Sequence, residues 1–191
     1  ESEAEIAAEV ERQKAFNQRL NGTVYVHCTP SVSINDAMFG YHCGLDHFTY
    51  LWFDYPDLTL AWLQAIEDAE IRKIRKMAHA ETSPMALIYS DVAFKDKLMF
   101  SQGRFREIGF FDNVARITQA VHDAGLKVIF HSDGYVMDIM ADLVAIGIDG
   151  FNPIEKAAGM DIDELRRQFP ELTLVGGVDV TDLLPHGTPQ E

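Results

Sequence analysis

Apolar runs of four to six residues recur along the chain, each ending abruptly in polar residues. Met85-Ala86-Leu87-Ile88-Tyr89 runs into Ser90-Asp91, Leu126-Lys127-Val128-Ile129-Phe130 into His131-Ser132-Asp133-Gly134, Ile148-Asp149-Gly150-Phe151 into Asn152-Pro153, and Leu172-Thr173-Leu174-Val175 into Gly176-Gly177-Val178-Asp179. An earlier run, Thr23-Val24-Tyr25-Val26-His27-Cys28, ends at Thr29-Pro30-Ser31. Between these runs lie helix-length segments with apolar residues at three- and four-residue spacing: Leu60 to Met77, Phe105 to Val121, Val136 to Ile146 and Ile162 to Phe169. Strands alternating with helices predict an α/β fold with a parallel sheet and right-handed crossovers. In such folds the carboxyl ends of the strands share one face, and ligands bind there. Asp91, His131, Asp133, Asn152 and Asp179 all follow strand ends, which marks them as the candidate chemistry.

A chain of 191 residues that is 47% hydrophobic is long enough for one domain with a sizeable core. Residues 1–191 are therefore read as a single domain, with residues 1–20 a peripheral acidic helix whose apolar stripe, Ile6, Val10 and Phe16, is thin. The formal charge of −14 speaks against nucleic acid or an anionic membrane as partner and favours a small molecule or a protein. Two cysteines, Cys28 and Cys43, and the lack of a leader or long apolar run make the cytoplasm the expected compartment. The last residues, Thr188-Pro189-Gln190-Glu191, read as the start of a further helix. Five strands are fewer than the eight of a closed β/α barrel. The expectation is a partial barrel whose open strand edges favour association, as a homo-oligomer or with other protein.

From Asp91 to Asp179 several segments together resemble the uroporphyrinogen decarboxylase superfamily. They are Lys97 to Glu107, with Gln102 where a proline is usual; Val121 to Gly134; Gly147 to Ile154; Gly159-Met160-Asp161; and Gly176-Gly177-Val178-Asp179. Thr29-Pro30 through Gly40 and the Tyr55-Pro56-Asp57 helix start match more loosely, so the resemblance covers residues 23–191. It implies a TIM (β/α)8 barrel and an enzyme, either a zinc-dependent, corrinoid-linked methyltransferase or a tetrapyrrole (porphyrinogen) decarboxylase.

The methyltransferases of that superfamily place a His-x-Cys pair after this strand to bind zinc, with a further ligand near the last strand. Here His131 is present and Asp133 stands at the cysteine position. A His-x-Asp pair can still hold zinc or a harder divalent ion. The implied partner is then a corrinoid protein carrying the methyl group. The metal-free decarboxylases bind a polycarboxylate through arginines. All nine arginines here fall in helical patterns or helix starts, and the family's tyrosine after a Pro-Trp-Thr-like turn aligns with Asp36 as a substrate-binding position. Both points favour methyl transfer over decarboxylation. A third reading is a non-catalytic remnant or subunit that binds a corrinoid protein.

Each position also has a plain structural role open to it. His131 can be a strand-end core histidine. Asp133 can cap the helix that begins near Val136. Asp91 can polarise substrate or anchor the loop holding Lys95 and Lys97. Asp179, after two glycines, can contact a ligand or orient a metal-binding histidine. His42, Cys43 and His47 cluster in sequence but fit no zinc spacing. Trp52, Trp62, Phe48, Phe53 and Tyr55 are expected to pack between helices.

Overall fold

The computed structural model describes residues 2–21, 29–41 and 43–190. Helix α1 (Glu3–Arg19) opens with a capping box, in which Ser2 Oγ accepts from the Glu5 amide and the Glu5 carboxylate accepts from the Ser2 amide. It buries none of its residues, as the thin apolar stripe of residues 1–20 predicts. A one-turn helix α2 (Ser33–Asn35) continues into a π-helical turn, Asp36–Gly40. Helices α3 (Leu45–Asp54) and α4 (Pro56–Met77) follow, joined at Tyr55, with Pro56 at the first position of α4, where no amide donor is needed.

Four strand–helix units then follow. Strand β1 (Met85–Tyr89) leads through a long loop to α5 (Gln102–Glu107) and α6 (Phe110–Asp123); β2 (Lys127–His131) leads to α7 (Met137–Ile146). Strand β3 (Gly150–Asn152) leads through the 3₁₀ turn Lys156–Ala158 to α8 (Ile162–Gln168), and β4 (Thr173–Leu174) precedes the one-turn helix α9 (Leu183–His186). The helix expected from Phe105 to Val121 is two helices, because Gly109 adopts the left-handed conformation (φ 75°) and redirects the chain.

The sheet is parallel throughout, in the sequential order β1-β2-β3-β4. Beside β1, Tyr89 N donates to Pro30 O at 2.8 Å and Ser31 forms a parallel bridge with Tyr89, so the chain just after the expected first strand lies at this edge. That run, Thr23 to Cys28, lies outside the described residues. So do Cys28 and His42.

Register sorts the side chains into two faces. Ala86, Val128, Ile88, Phe130 and Phe151 share one face and are fully buried with Val114, Ile117 and Val121 of α6 in the main core. The opposite face carries Leu87, Ile129 and Gly150, and at its upper end Tyr89, His131 and Asn152 in one row. Gly150 is required on that face: a Cβ there would sit 2.5 Å from Ile129 Cδ1 and 2.9 Å from Thr173 O. Phe48 and Trp52 are buried as expected and Trp62 packs partly buried against the core, whereas Phe53 and Tyr55 are exposed.

Candidate functional site

The row at the strand ends positions the site. Tyr89 and His131 are neighbours in register, and their rings stack with centroids 4.5 Å apart and planes 12° from parallel. Asn152, next in the row, brings its Oδ1 to 2.8 Å from His131 Nδ1. The other end of the Asn152 amide, Nδ2, donates to Val175 O at 3.4 Å, which orients Oδ1 toward the imidazole. A carbonyl oxygen only accepts, so Nδ1 carries the proton, and the neutral form of the imidazole has its lone pair at Nε2.

That nitrogen is buried and has no hydrogen-bond partner. It faces Asp91, whose Oδ1 lies 3.6 Å away, too long for a hydrogen bond. Asp91 Oδ1 instead accepts from the Asp133 amide at 3.1 Å, which folds the two strand-end loops together. Asp91, His131 and Asp133 each offer a ligand atom, and these atoms lie within 4.8 Å of one another. Loss of water on its site-facing side, with the Asp91 carboxylate beside it and Glu155 nearby, raises the Asp133 pKa above the ordinary carboxylate value, against the pull of His131. The Asp91 charge, then burial, raises that of the Tyr89 hydroxyl.

Asp91, His131 and Asp133 are a donor set that a divalent cation could take. Two carboxylates and an imidazole suit zinc, manganese or ferrous iron, and the absence of a thiolate shifts preference toward harder ions. A buried nitrogen lone pair set against two carboxylates is an electrostatic arrangement that a cation or a proton relieves.

Buried hydroxyls hold the loops. Ser132 Oγ accepts from Val92 N at 3.2 Å and donates to Asp133 O, and Ser90 Oγ donates to Asn35 Oδ1 at 2.7 Å. Asn35 Nδ2 in turn donates to Asp91 O at 2.8 Å. Gly134, at φ 86°, donates its amide to Glu155 Oε2 at 2.9 Å, and a Cβ there would lie 2.4 Å from Phe94 O.

A cleft of about 510 Å³ opens beside Asp133 and Asn152, walled by Pro153, Ile154, Val178 and Val180 and carrying Glu155, Lys156 and Asp179. Asp179 thus shares the cleft with Asp133 but does not join the Asp91–His131–Asp133 group. Its carboxylate accepts from the amides of Thr181 and Asp182 at 2.7 and 2.8 Å. The Asp182 and Thr181 amides hold its pKa below the usual value. Asp36 also stays apart from that group. It lies half-buried in the π-helical turn, with Oδ1 only 3.3 Å from where a Gly40 Cβ would be. Its neighbour Asn35 is the residue that reaches the site loop.

Tyr89, Glu155, Asn35 and Ser132 are site residues that the sequence reading passes over. One signal for Tyr89 was present: Tyr89-Ser90-Asp91 and His131-Ser132-Asp133 repeat an aromatic-Ser-Asp ending on adjacent strands. All nine arginines lie on helices, as expected. Cys43 is a half-buried free cysteine and His47 is exposed; among the described residues neither joins a metal-ligand group. No protein-family model, curated protein or solved structure matches this chain.

Proposed function

We propose that this chain is the metal-binding part of a β/α-barrel enzyme of the uroporphyrinogen decarboxylase type, and that it serves corrinoid-linked methyl transfer. The observation that carries the reading is the buried, unpartnered Nε2 of His131, in a group with the carboxylates of Asp91 and Asp133. The sequential parallel strand order supports a barrel, since doubly wound sheets reverse their order at a switch point. The half-open sheet face that carries the site row is the face a barrel would enclose.

Asp91, His131 and Asp133 would hold the ion. When bound, the ion would act as a Lewis acid that makes the heteroatom of a methyl acceptor a better nucleophile. Asn152 keeps His131 in the tautomer that offers Nε2, the Tyr89 ring shields one face of the imidazole from water, and Glu155 holds the Gly134 turn in place. The cleft beside Asp133 would receive the small-molecule substrate along its apolar wall, with Lys156 at its edge. Decarboxylation of a polycarboxylate is disfavoured by the same surroundings. The cleft brings Asp133, Glu155 and Asp179 together with a single lysine and no arginine.

The test is metal content by plasma mass spectrometry on chain purified without chelator, beside Asp91→Asn, His131→Ala and Asp133→Asn. About one equivalent of a divalent metal in the wild type, and under a tenth of that in each variant, is expected. Loss of methylcorrinoid absorbance on adding thiol or hydroxyl acceptors then reads the transfer. A metal-free wild type that also gains no thermal stability from added zinc, manganese, iron or magnesium would overturn the reading.

A further inference from the structure

A second surface feature is independent of the strand-end site. Within residues 39–60 six large apolar side chains, Phe39, Tyr41, Tyr50, Phe53, Tyr55 and Leu58, are each 49% to 67% exposed. They are linked. The Tyr41 ring meets Trp62 edge-on with centroids 6.2 Å apart, and Trp62 lies one turn of α4 beyond Leu58. Tyr50 lies one turn before Phe53 on α3, and Tyr55 joins the two helices. At 150–250 Å² per aromatic side chain, their exposed fractions amount to roughly 600–800 Å². Taken together, that approaches the ~800 Å² that each partner contributes to a stable interface.

Beside this patch a cleft of about 240 Å³ is lined by Phe48, Trp52, Phe53, Met99, Phe100 and Arg104. It is small beside the roughly 300–1,000 Å³ of small-molecule pockets and suits one aromatic side chain. The Arg104 guanidinium covers the Phe53 and Trp52 rings at 5.1 and 5.8 Å, and its charge is answered by Glu107 at 2.6 Å. The cleft therefore asks for a ring rather than an anion. Knob and hole lie on the same surface of one chain, which is the requirement for an isologous contact.

We propose that this face joins two copies of the chain across a two-fold axis, an exposed ring of each copy entering the aromatic cleft of the other. Residues 39–60 contain Asp46, Asp54 and Asp57 but no lysine or arginine, and each copy carries a formal charge of −14. The apolar contact must overcome like-charge repulsion, so salt strengthens the dimer.

Sedimentation equilibrium decides this, run from about 1 to about 100 µM at about 0.02 and about 0.5 M NaCl. The chain is compared with Phe53→Asp, Tyr50→Glu and, as a control on another exposed apolar side chain, Leu184→Asp. The expected result is a monomer–dimer equilibrium that tightens with salt, weakens at least tenfold in Phe53→Asp or Tyr50→Glu, and is unchanged in Leu184→Asp. Circular dichroism checks that each variant keeps its fold, which these exposed positions permit. A monomer throughout the range, growth past the dimer, or a dimer indifferent to both patch substitutions would overturn the proposal.

Discussion

His131 carries the site because its two nitrogens are treated differently. Nδ1 is engaged by Asn152, while Nε2 is buried without a partner. Outer residues that fix a ligand's tautomer typically contribute 10–100-fold to metal affinity. Asn152→Ala should therefore weaken divalent-metal binding by about that factor in a chelator-competition titration, whereas Asn152→Asp, which keeps an acceptor at the same distance, should not. Equal affinities for wild type and Asn152→Ala would show that the Nδ1 contact is incidental. At this scale much of the candidate site was legible. His131 ends β2 with Asp133 two residues on, and Asp91 lies two residues past the end of the adjacent strand β1. Asp179 lines the neighbouring cleft and stays out of the Asp91–His131–Asp133 group, because its carboxylate accepts from amides two and three residues on, and a sequence does not say which carboxylates turn back on their own loop.

At the scale of elements, the strand ends opposite the site are braced by Asp149. Its carboxylate accepts from Lys127 Nζ at 2.7 Å and from the Val128 amide at 2.8 Å, and lies 2.8 Å from His122 Nε2. One side chain thus ties the end of α6, the start of β2 and the approach to β3. Burial alone would raise its pKa, but Lys127, the Val128 amide and His122 outweigh that and hold it below the usual value. A depressed folded-state pKa contributes stability that is present above the unfolded value of about 3.9 and lost as pH falls through the folded value. Asp149→Asn should cost about 1–3 kcal/mol at pH 7, and the difference in urea unfolding free energy from wild type should shrink steadily below about pH 4.5. A gap that stays constant to pH 3 would mean that Asp149 acts by packing instead. The elements themselves were largely readable from periodicity, and β1 spans Met85–Tyr89 as its apolar run predicts. Helix α3 was not, because Gly44 and Gly40 advertise a loop around a segment whose helix is fixed by burial of Phe48 and Trp52. The break at Gly109 was hidden inside one continuous apolar period.

At the scale of the whole molecule, the parallel sheet was legible from strand–helix alternation, and the two-faced burial follows from register. The exposed aromatic face was not. Composition cannot distinguish a ring packed between helices from one turned outward, and Phe53 and Tyr55 went the second way. The charge balance makes a last prediction. Most of the ion pairs in the described structure are partly solvent-exposed, such as Arg106–Asp142 and Lys73–Glu70, and each contributes at most a few tenths of a kcal/mol to about 1 kcal/mol. Salt weakens these pairs, but it also screens the mutual repulsion behind the −14 charge. Since acidic groups outnumber basic ones by 30 to 16, repulsion should dominate. The urea unfolding free energy of dilute, monomeric chain should therefore rise by roughly 1 kcal/mol between about 0.02 and about 0.5 M NaCl, and a fall would mean that the pairs matter more than the net charge. Replacing part of the sodium by a divalent cation at equal ionic strength separates screening from the strand-end site. Screening depends on ionic strength, whereas a bound ion adds RT ln(1 + [L]/Kd), about 2.7 kcal/mol at a hundredfold excess over Kd. That increment should vanish in His131→Ala while the sodium dependence stays, because removing one imidazole abolishes a ligand and leaves the charge of the surface intact.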